Sequence, residues 1–146
     1  MIRSAIESAK AVGYTSDQIE TWKSSFTPKI FASLVENTFA LIAHIGPVAR
    51  NEIVGVANLI SGEDKIGEVD LLYVSPSFQR QGIGQGLIRA IETEATRQHL
   101  IALRVDASLL AVGSFQKSGF TVETEYTKVH LNVEFRNTWM YKTLGS

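Results

Sequence analysis

The sequence predicts a single α+β domain, in which helices flank a mixed, mostly antiparallel sheet. Apolar residues at helical spacing and short apolar runs follow one another along all 146 residues, with turn residues between them. Near the centre, an apolar strand is followed at once by a helix, which predicts a strand parallel to its neighbour. The content of 45% hydrophobic and 20% charged residues is typical of one globular core. We therefore predict one domain over residues 1–146.

Three helices are predicted in the first part of the chain. The first is amphipathic and ends at Gly13. Residues 15–18 (Thr-Ser-Asp-Gln) have the pattern of a capping box, which starts a second helix carrying Trp22. Thr27 and Pro28 suit the N-cap and the first position of a third helix. The apolar residues of the first helix are Ile2, Ala5, Ile6, Ala9 and Val12.

Six apolar segments predict strands. A turn around Gly46, Pro47 and Asn51 joins the first two, and Pro76 ends the third. The fourth immediately precedes a helix, so we expect it to be central and parallel to its neighbour. The last two predict an antiparallel hairpin that closes the sheet. In order, the segments are residues 39–45, 53–60, 68–75, 100–105, 120–126 and 135–143.

Two further helices are predicted in the second half of the chain. Residues 82–98 carry an apolar stripe at helical spacing. Residues 108–117 are predicted as the helix after the fourth strand, with Ser108 as its N-cap and Gly119 beyond its end. The stripe of the longer helix consists of Ile83, Leu87, Ile88, Ile91 and Ala95.

The segment 69–88 is the most informative about function, because it combines a buried strand, a polar bend and a glycine-rich turn that opens a helix. The first N–H groups of a helix have no partner within it and lie at the positive end of its dipole. Gly82, Gly84 and Gly86 would let phosphate groups approach that backbone. The turn therefore predicts an anion cradle for a phosphate-bearing cofactor.

A dinucleotide-binding turn is the competing interpretation, since Asp106 ends an apolar strand as the ribose-binding acidic residue would. It fits poorly, because Gly86 is one residue too early for the third glycine and seven residues separate Val74 from Gly82. A Walker loop is excluded, because no Gly-Lys-Ser/Thr follows the glycines.

The glycine turn also carries a resemblance to a known family. Residues 79–84 (Gln-Arg-Gln-Gly-Ile-Gly) resemble the cofactor signature of the GNAT superfamily of N-acetyltransferases, and residues 71–76 look like its fourth strand. Residues 103–108 and 115–120 are similar to its second motif. Residues 14–22 are similar to the first-helix region of a poorly characterised bacterial branch. Members usually open with a strand before that helix, so either the first strand is absent here or the sequence is shortened.

The resemblance implies acetyl-CoA as co-substrate, bound where the fourth and fifth strands of the fold splay apart. The pantetheine arm would pair with the fourth strand like an added strand, and the pyrophosphate would lie on the N–H groups of residues 80–85. The Arg80 side chain either contacts a phosphate or is a solvated surface residue, and Ser108 stands where many members carry a cofactor-contacting asparagine. The cofactor residues implied in this way are Leu72, Tyr73, Val74, Arg80, Gln81, Gly82, Ile83, Gly84, Gln85, Ser108 and Phe115.

The reaction needs a neutral amine, whereas a free alkylamine with a pKa of about 10.4 is almost fully protonated at neutral pH. Glu68 and Asp70 are the candidate bases, because residues two apart on a strand face the same side and their repulsion raises one pKa. Glu68 aligns with the base of the histone-modifying members; the alternative is that both Glu68 and Asp70 are solvated charges.

Phe115 replaces the tyrosine that in many members of the family protonates the CoA thiolate. The substitutes, among which the sequence does not choose, are Ser114, Tyr73 and Tyr126.

We therefore expect an acetyl-CoA-dependent N-acetyltransferase that passes the acetyl group directly to a primary amine in a ternary complex. The chain has no cysteine, so an acetyl-cysteine intermediate is impossible. Trp22 falls where the first helices border the acceptor pocket of the family, which makes it the candidate substrate contact. The alternative is a catalytically silent module that binds acetyl-CoA or CoA for regulation, and a dinucleotide oxidoreductase is more distant. The sequence does not identify the acceptor.

Other partners are not indicated. A net charge of −1 gives no reason to expect nucleic acid or an anionic membrane. His44, His99 and His130 are scattered without ligand spacing, so no metal site is predicted. No apolar run approaches the length of a membrane span, about 20 residues, and no secretory leader is evident, which predicts a cytoplasmic protein. Homodimers are common in the resembled superfamily, and the sequence leaves the oligomeric state open.

Overall fold

The computed structural model describes residues 1–47 and 52–145. In that range the chain forms five α-helices and seven strands. Asn51, predicted to belong to the turn between the first two strands, lies outside the described residues. The helices are α1 (Ile2–Glu7), α2 (Ser16–Ser24), α3 (Pro28–Asn37), α4 (Ile83–Arg97) and α5 (Val112–Lys117). The strands are β1 (Phe39–Ile45), β2 (Glu52–Ser61), β3 (Ile66–Val69), β4 (Leu72–Val74), β5 (Ala102–Ser108), β6 (Thr121–His130) and β7 (Val133–Thr143). Short 3-10 segments follow α1 and β4, at Ser8–Val12 and Pro76–Phe78.

The strands form one mixed sheet in the order β1-β2-β3-β5-β7-β6, and β4 pairs with β2. β3 and β5 are parallel, and the other pairs in the described residues are antiparallel. This confirms the predicted mixed, mostly antiparallel sheet and the parallel position of β5. The closing hairpin is also confirmed, and it is longer than predicted because β6 continues to His130 and β7 begins at Val133.

The strand predicted over residues 68–75 is in fact two strands. β3 ends at Val69 and β4 begins at Leu72, so Asp70 and Leu71 lie between them outside both ladders. The prediction was wrong here because the side chain of Asn58, on β2, binds the two intervening amides and interrupts the ladder.

Ser108 is the last residue of β5, so its predicted role as a helix N-cap is wrong. It pairs with Asn137 of β7, and α5 begins only at Val112. In the turn between the two elements, the Ala111 N–H donates to the Ser108 carbonyl at 3.0 Å. The local pattern favoured a cap, but the ladder with β7 covers residues 102–108 and holds Ser108 extended.

The sheet is covered on both faces. α4 lies on one face, where Leu87 and Ile88 belong to the larger apolar core together with side chains of β2, β3, β5 and β7. α1 and α2 lie on the other face, where Ile6 and Ile19 pack with Phe135 in a second core. Together the two layers hold β3, β4 and β5, the strands that position the candidate site.

The two predicted helix starts are confirmed. Thr15 Oγ1 accepts from the Gln18 N–H at 3.1 Å, and Gln18 Oε1 accepts from the Thr15 N–H at 2.8 Å. These two bonds complete a capping box at α2. At α3, Thr27 Oγ1 accepts from the Ile30 N–H at 3.2 Å, and Pro28 occupies the first helical position.

Thr15→Ala is expected to lower the free energy of unfolding by about 1 kcal/mol, which corresponds to about 2–4 °C in Tm. The substitution leaves the Gln18 N–H without its acceptor and removes half of the capping box. Chemical denaturation of the two proteins measures the difference. Ser16→Ala is the control, because the bonds of the cap involve only Thr15 and Gln18, and an equal loss there would contradict the assigned role.

Candidate active site

A cleft opens where the parallel pair β3–β5 comes apart. The ladder between these strands ends at Val69 and Val105. Beyond that point β4 pairs with β2 and β5 pairs with β7, and β4 and β5 share no ladder in the described residues. The resulting cleft has a volume of about 980 Å³. Its walls come from β3, β4, the turn before α4, the end of β5, and α5.

The hydrogen bonds of β4 determine which of its main-chain groups face this cleft. The Leu71 carbonyl and the Ser75 N–H are bonded to β2, at 3.2 and 2.7 Å. Tyr73 lies two residues from each of them, so its main-chain groups also face β2. Leu72 and Val74 therefore present their main-chain groups to the cleft. Pantetheine was expected to pair with Leu72, Tyr73 and Val74. The expectation is wrong for the main chain of Tyr73, which faces β2, and Tyr73 lines the cleft through its side chain instead.

The turn before α4 presents N–H groups that have no acceptor within residues 1–47 and 52–145. The Gly86 N–H donates to the Gly82 carbonyl at 2.9 Å, which is the first bond of the helix. The N–H groups of residues 80–85 have no hydrogen-bond acceptor among the residues that the structure describes. Arg80 and Gly82 have φ angles of 63° and 82°, in the left-handed region that favours glycine. These two residues redirect the backbone immediately before the helix begins.

The space in front of this turn is open. Among the described residues, a Cβ atom added to Gly82 would meet no atom within 4 Å, and one added to Gly84 would meet only Val74 Cγ2, at 3.6 Å. α4 is 15 residues long, and the positive end of its dipole lies at this turn. Unpaired amides, an open approach and a favourable dipole together fit a bound phosphate chain.

Three carboxylates lie along the cleft. Glu68 and Asp70 line it as predicted, and Asp106 joins them from β5. Burial raises the pKa of Glu68, and the charges of Asp70 and Asp106 raise it further, against the opposing charge of Arg104. Burial also raises the pKa of Asp70, while the Lys128 ammonium lowers it and Asp106 raises it. A raised pKa makes a carboxylate a better proton acceptor.

Side chains of the closing hairpin hold Asp106. The Tyr126 hydroxyl donates to Oδ2 at 2.6 Å, and Asn137 Nδ2 donates to Oδ1 at 3.0 Å. Lys128 Nζ lies 3.7 Å from Oδ2. Burial, the hydrogen bond to Asp106 and the charge of Asp106 raise the pKa of Tyr126 to about 12. The Tyr126 proton is therefore committed to Asp106, which makes this residue a poor donor to a departing thiolate.

Aromatic side chains form another part of the wall. Trp22 Nε1 donates to the Tyr73 hydroxyl at 3.0 Å. Phe26 packs edge-on against Tyr73, with ring centroids 5.4 Å apart, and Tyr14 lies 5.3 Å from Trp22. Burial raises the pKa of Tyr73, so its phenol stays protonated at neutral pH. Trp22 thus lies in the cleft wall, where the sequence placed it as a candidate substrate contact.

Position 115 contributes an apolar side chain to the cleft. Phe115 is 1% exposed and packs edge-on against Phe120, with ring centroids 5.0 Å apart. Of the hydroxyls considered as substitutes for a tyrosine there, Ser114 and Tyr73 line the cleft.

A smaller cavity of about 290 Å³ adjoins the cleft, between α2 and the hairpin β6–β7. Tyr14 and Phe135 form part of its apolar wall. Ser25 Oγ and His130 Nε2 lie 3.2 Å apart and connect the C-cap of α2 to the end of β6. The residues common to both cavities are Trp22, Ser25, Ser108, Lys128 and Asn137.

Within residues 1–47 and 52–145, no group of three or more His, Asp or Glu side chains is arranged to hold a metal ion. No helix in this part of the chain combines the length and the apolar character needed to cross a bilayer.

The sequence profile of one family matches most of the chain. Residues 10–138 match the family described as acetyltransferase (GNAT) domain. The chain belongs to the GNAT family of acetyltransferases. This confirms the resemblance that residues 79–84 and the second motif carry, and acetyl transfer is the general activity of the family.

Solved structures are similar to this GNAT acetyltransferase over most of its length. A GCN5-related N-acetyltransferase from Rhodopseudomonas palustris is 30% identical, with a TM-score of 0.85 over 98% of this chain and 85% of that one. PaiA N-acetyltransferase from Thermoplasma acidophilum, in complex with coenzyme A, is 17% identical, with a TM-score of 0.72 over 97% and 87%. An acetyltransferase from Bacillus subtilis, in complex with CoA, is 16% identical, with a TM-score of 0.63 over 82% and 85%. A search of curated protein sequences finds no significant match.

The structure brings most of the predicted site residues of this GNAT acetyltransferase into one cleft. Those in its wall are Trp22, Glu68, Asp70, Leu72, Tyr73, Val74, Arg80, Gly82, Ile83, Gly84, Gln85, Ser108 and Phe115. Gln81 is the predicted member outside the wall, although its N–H has no acceptor among the described residues. Asp106 was not predicted as part of the site; it directly follows Val105, where the parallel ladder of β3 and β5 ends at the cleft. Phe26, between α2 and α3, and Lys128, on β6, also line the cleft, and no local pattern indicates this.

Proposed function

We propose that this chain is an acetyl-CoA-dependent N-acetyltransferase that transfers the acetyl group directly to a primary amine in a ternary complex. The observation that carries the proposal is the row of N–H groups at residues 80–85, which lack acceptors in the part of the chain that the structure describes and lie beside the point where the sheet splits. Two relatives of the same fold are complexed with coenzyme A, which supports this use of the cleft. In this proposal, residues 1–146 form a single catalytic domain.

In the proposed complex, the diphosphate of acetyl-CoA lies on the amides of residues 80–85. The pantetheine arm pairs with the main-chain groups of Leu72 and Val74, as a strand added to the open edge of β4. Arg80 and Lys117 line the same cleft and supply positive charge near the phosphates. The acetyl group then reaches the cleft near Asp70, where β3 and β5 separate.

In the proposed reaction, the amine nitrogen attacks the thioester carbonyl carbon, the C–N bond forms and the C–S bond breaks. Before the attack, Asp70 or Glu68 takes one proton from the ammonium form of the acceptor, directly or through a water molecule. After the attack, the nitrogen releases its second proton to solvent. CoA leaves as a thiolate. A thiol with a pKa of about 8.5 leaves adequately in this form, so the reaction does not depend on a tyrosine at position 115.

The acceptor is proposed to enter through the smaller cavity between α2 and the hairpin. Its volume of about 290 Å³ suits a small molecule or the end of a peptide. Trp22 borders both cavities and is the proposed acceptor contact. The carboxylates of Glu68, Asp70 and Asp106 attract an acceptor that arrives as an ammonium ion.

Titration calorimetry with acetyl-CoA, followed by CoA release with a panel of primary amines, tests this function. We expect saturable binding with a Kd well below about 1 mM and CoA release with at least one amine. Binding with no release by any amine would favour the silent CoA-binding module, which the apolar residue at position 115 supports. No binding at about 1 mM acetyl-CoA would contradict the proposal.

A further inference from the structure

β3 and β4 both pair with β2, and the chain from β3 to β4 contains one residue more than the stretch of β2 opposite it. Ile60 pairs with Glu68, and Ala57 pairs with Leu72. The two β2 residues between these pairs, 58 and 59, therefore stand opposite three residues, 69–71. This is a β-bulge, which bends a strand and leaves main-chain groups without ladder partners.

The side chain of Asn58 supplies the partners that the bulge lacks. Its Oδ1 accepts from the Asp70 N–H at 3.0 Å and from the Leu71 N–H at 2.7 Å. Its main-chain N–H donates to the Leu71 carbonyl at 3.2 Å, and its Nδ2 donates to Thr38 Oγ1 at 3.3 Å. Asn58 is 0% exposed, so water does not compete for these bonds. The fully buried side chain of Asn58 thus satisfies the hydrogen bonds of the main-chain N–H groups in the bulge.

This bulge lies at the point where the cleft begins. The parallel ladder ends at Val69, and the next residue is Asp70, one of the two whose amides Asn58 binds. Because both amides are occupied by Asn58, neither is free to point into the cleft. The extra residue also determines which residues of β4 direct their main-chain groups toward β2 and which direct them into the cleft. Those of Leu72 and Val74 point into the cleft.

We propose that Asn58 is a positioning residue, which fixes the bulge and thereby orients Asp70 and the cofactor-pairing edge of β4. The inference rests on the proposed function, because it concerns the same cleft. A leucine at position 58 has a similar volume but leaves two buried N–H groups without an acceptor. An aspartate keeps the acceptor oxygens in nearly the same place. The two substitutions therefore separate the hydrogen bonds from the packing.

Calorimetry with acetyl-CoA compares the wild type with Asn58→Leu and Asn58→Asp. We expect Asn58→Leu to weaken binding by about tenfold or more, because the edge of β4 loses its fixed orientation. Asn58→Asp is expected to stay within about threefold of the wild type. Asn58→Ser, whose hydroxyl is too short to reach both amides, replaces the leucine variant if that variant does not fold. With an amine substrate, kcat/KM is expected to fall further than the affinity does, because Asp70 is also displaced.

Leu103→Ala is the matched control, because Leu103 is fully buried in the same core and pairs with Gly67 at the closed end of the ladder. It is expected to lower Tm and to leave acetyl-CoA affinity within about threefold of the wild type. Wild-type affinity in folded Asn58→Leu or Asn58→Ser would overturn the inference.

If the wild type does not bind acetyl-CoA, the proposed function fails, and hydrogen exchange still tests the inference. The amides of Asp70 and Leu71 are then expected to exchange slowly in the wild type and in Asn58→Asp, and fast in Asn58→Ser. Equal protection in all three proteins would overturn the role of Asn58.

Discussion

Gly84→Glu is expected to weaken acetyl-CoA binding by at least about 100-fold, equivalent to about 2.7 kcal/mol. Gly84 lies in the first turn of α4 and in the cleft wall. Of the atoms that the structure describes, a Cβ atom there meets only Val74 Cγ2, at 3.6 Å, so a side chain can be accommodated. A glutamate at this position places a carboxylate where the diphosphate is proposed to lie. The like charges repel each other, and the side chain blocks the approach to the amides.

Gly86→Glu is the matched control on the same helix. A Cβ atom at Gly86 lies 3.8 Å from Arg89 Nη2, and Gly86 is not part of the cleft wall. The new carboxylate has a cationic neighbour there, so acetyl-CoA affinity is expected to stay within about threefold of the wild type. Calorimetry on both folded variants measures the contrast. Equal acetyl-CoA affinities for the two variants would contradict the proposal that the diphosphate binds at this turn.

Loss of the Glu68 and Asp70 carboxylates, the two candidate bases, is expected to lower kcat by about 100-fold or more, the usual contribution of general base catalysis. The variants are Glu68→Gln, Asp70→Asn and their combination, assayed by CoA release with an accepted amine. The single variant with the larger loss identifies the base. Acetyl-CoA affinity is expected to stay within about threefold of the wild type, because the main chain of β4 is unchanged. If the double variant retained the wild-type rate, neither carboxylate would act as the base.

The pH dependence of kcat/KM follows from the same carboxylates. The pKa values of Glu68 and Asp70 are raised, in both cases mainly by burial. The base works only when it is deprotonated, so kcat/KM is expected to fall as the pH decreases through the raised pKa. The Asp106 charge contributes to both shifts, whereas Lys128 opposes that of Asp70. Asp106→Asn is therefore expected to move the acidic limb of the profile to lower pH, and a shift to higher pH would contradict this electrostatic account.

Features set by residues close together in the sequence could be predicted from it. The capping box of α2 joins Thr15 to Gln18, three residues away, and the stripe of α4 repeats every three or four residues. The glycine turn was predictable for the same reason, because its unpaired amides depend only on where α4 starts. These local relations also account for most of the residues that the cleft brings together.

Features set by contacts between distant segments could not be predicted. Asn58 interrupts the strand predicted over residues 68–75 by binding an amide 12 residues away in the sequence. Ser108 has the sequence context of a helix cap, but its pairing with Asn137, on β7, keeps it in β5. Asp106 reaches the site through the parallel register of β3 and β5, and its partner Tyr126 comes from a strand 20 residues further along the chain.

A crystal structure of the chain with bound CoA tests the central claim most directly. The account predicts diphosphate oxygens within about 3 Å of the main-chain nitrogens of residues 80–85. It also predicts that pantetheine lies beside the main chains of Leu72 and Val74. A diphosphate bound anywhere else, or amides of residues 80–85 bonded to protein acceptors while CoA occupies another surface, would contradict it.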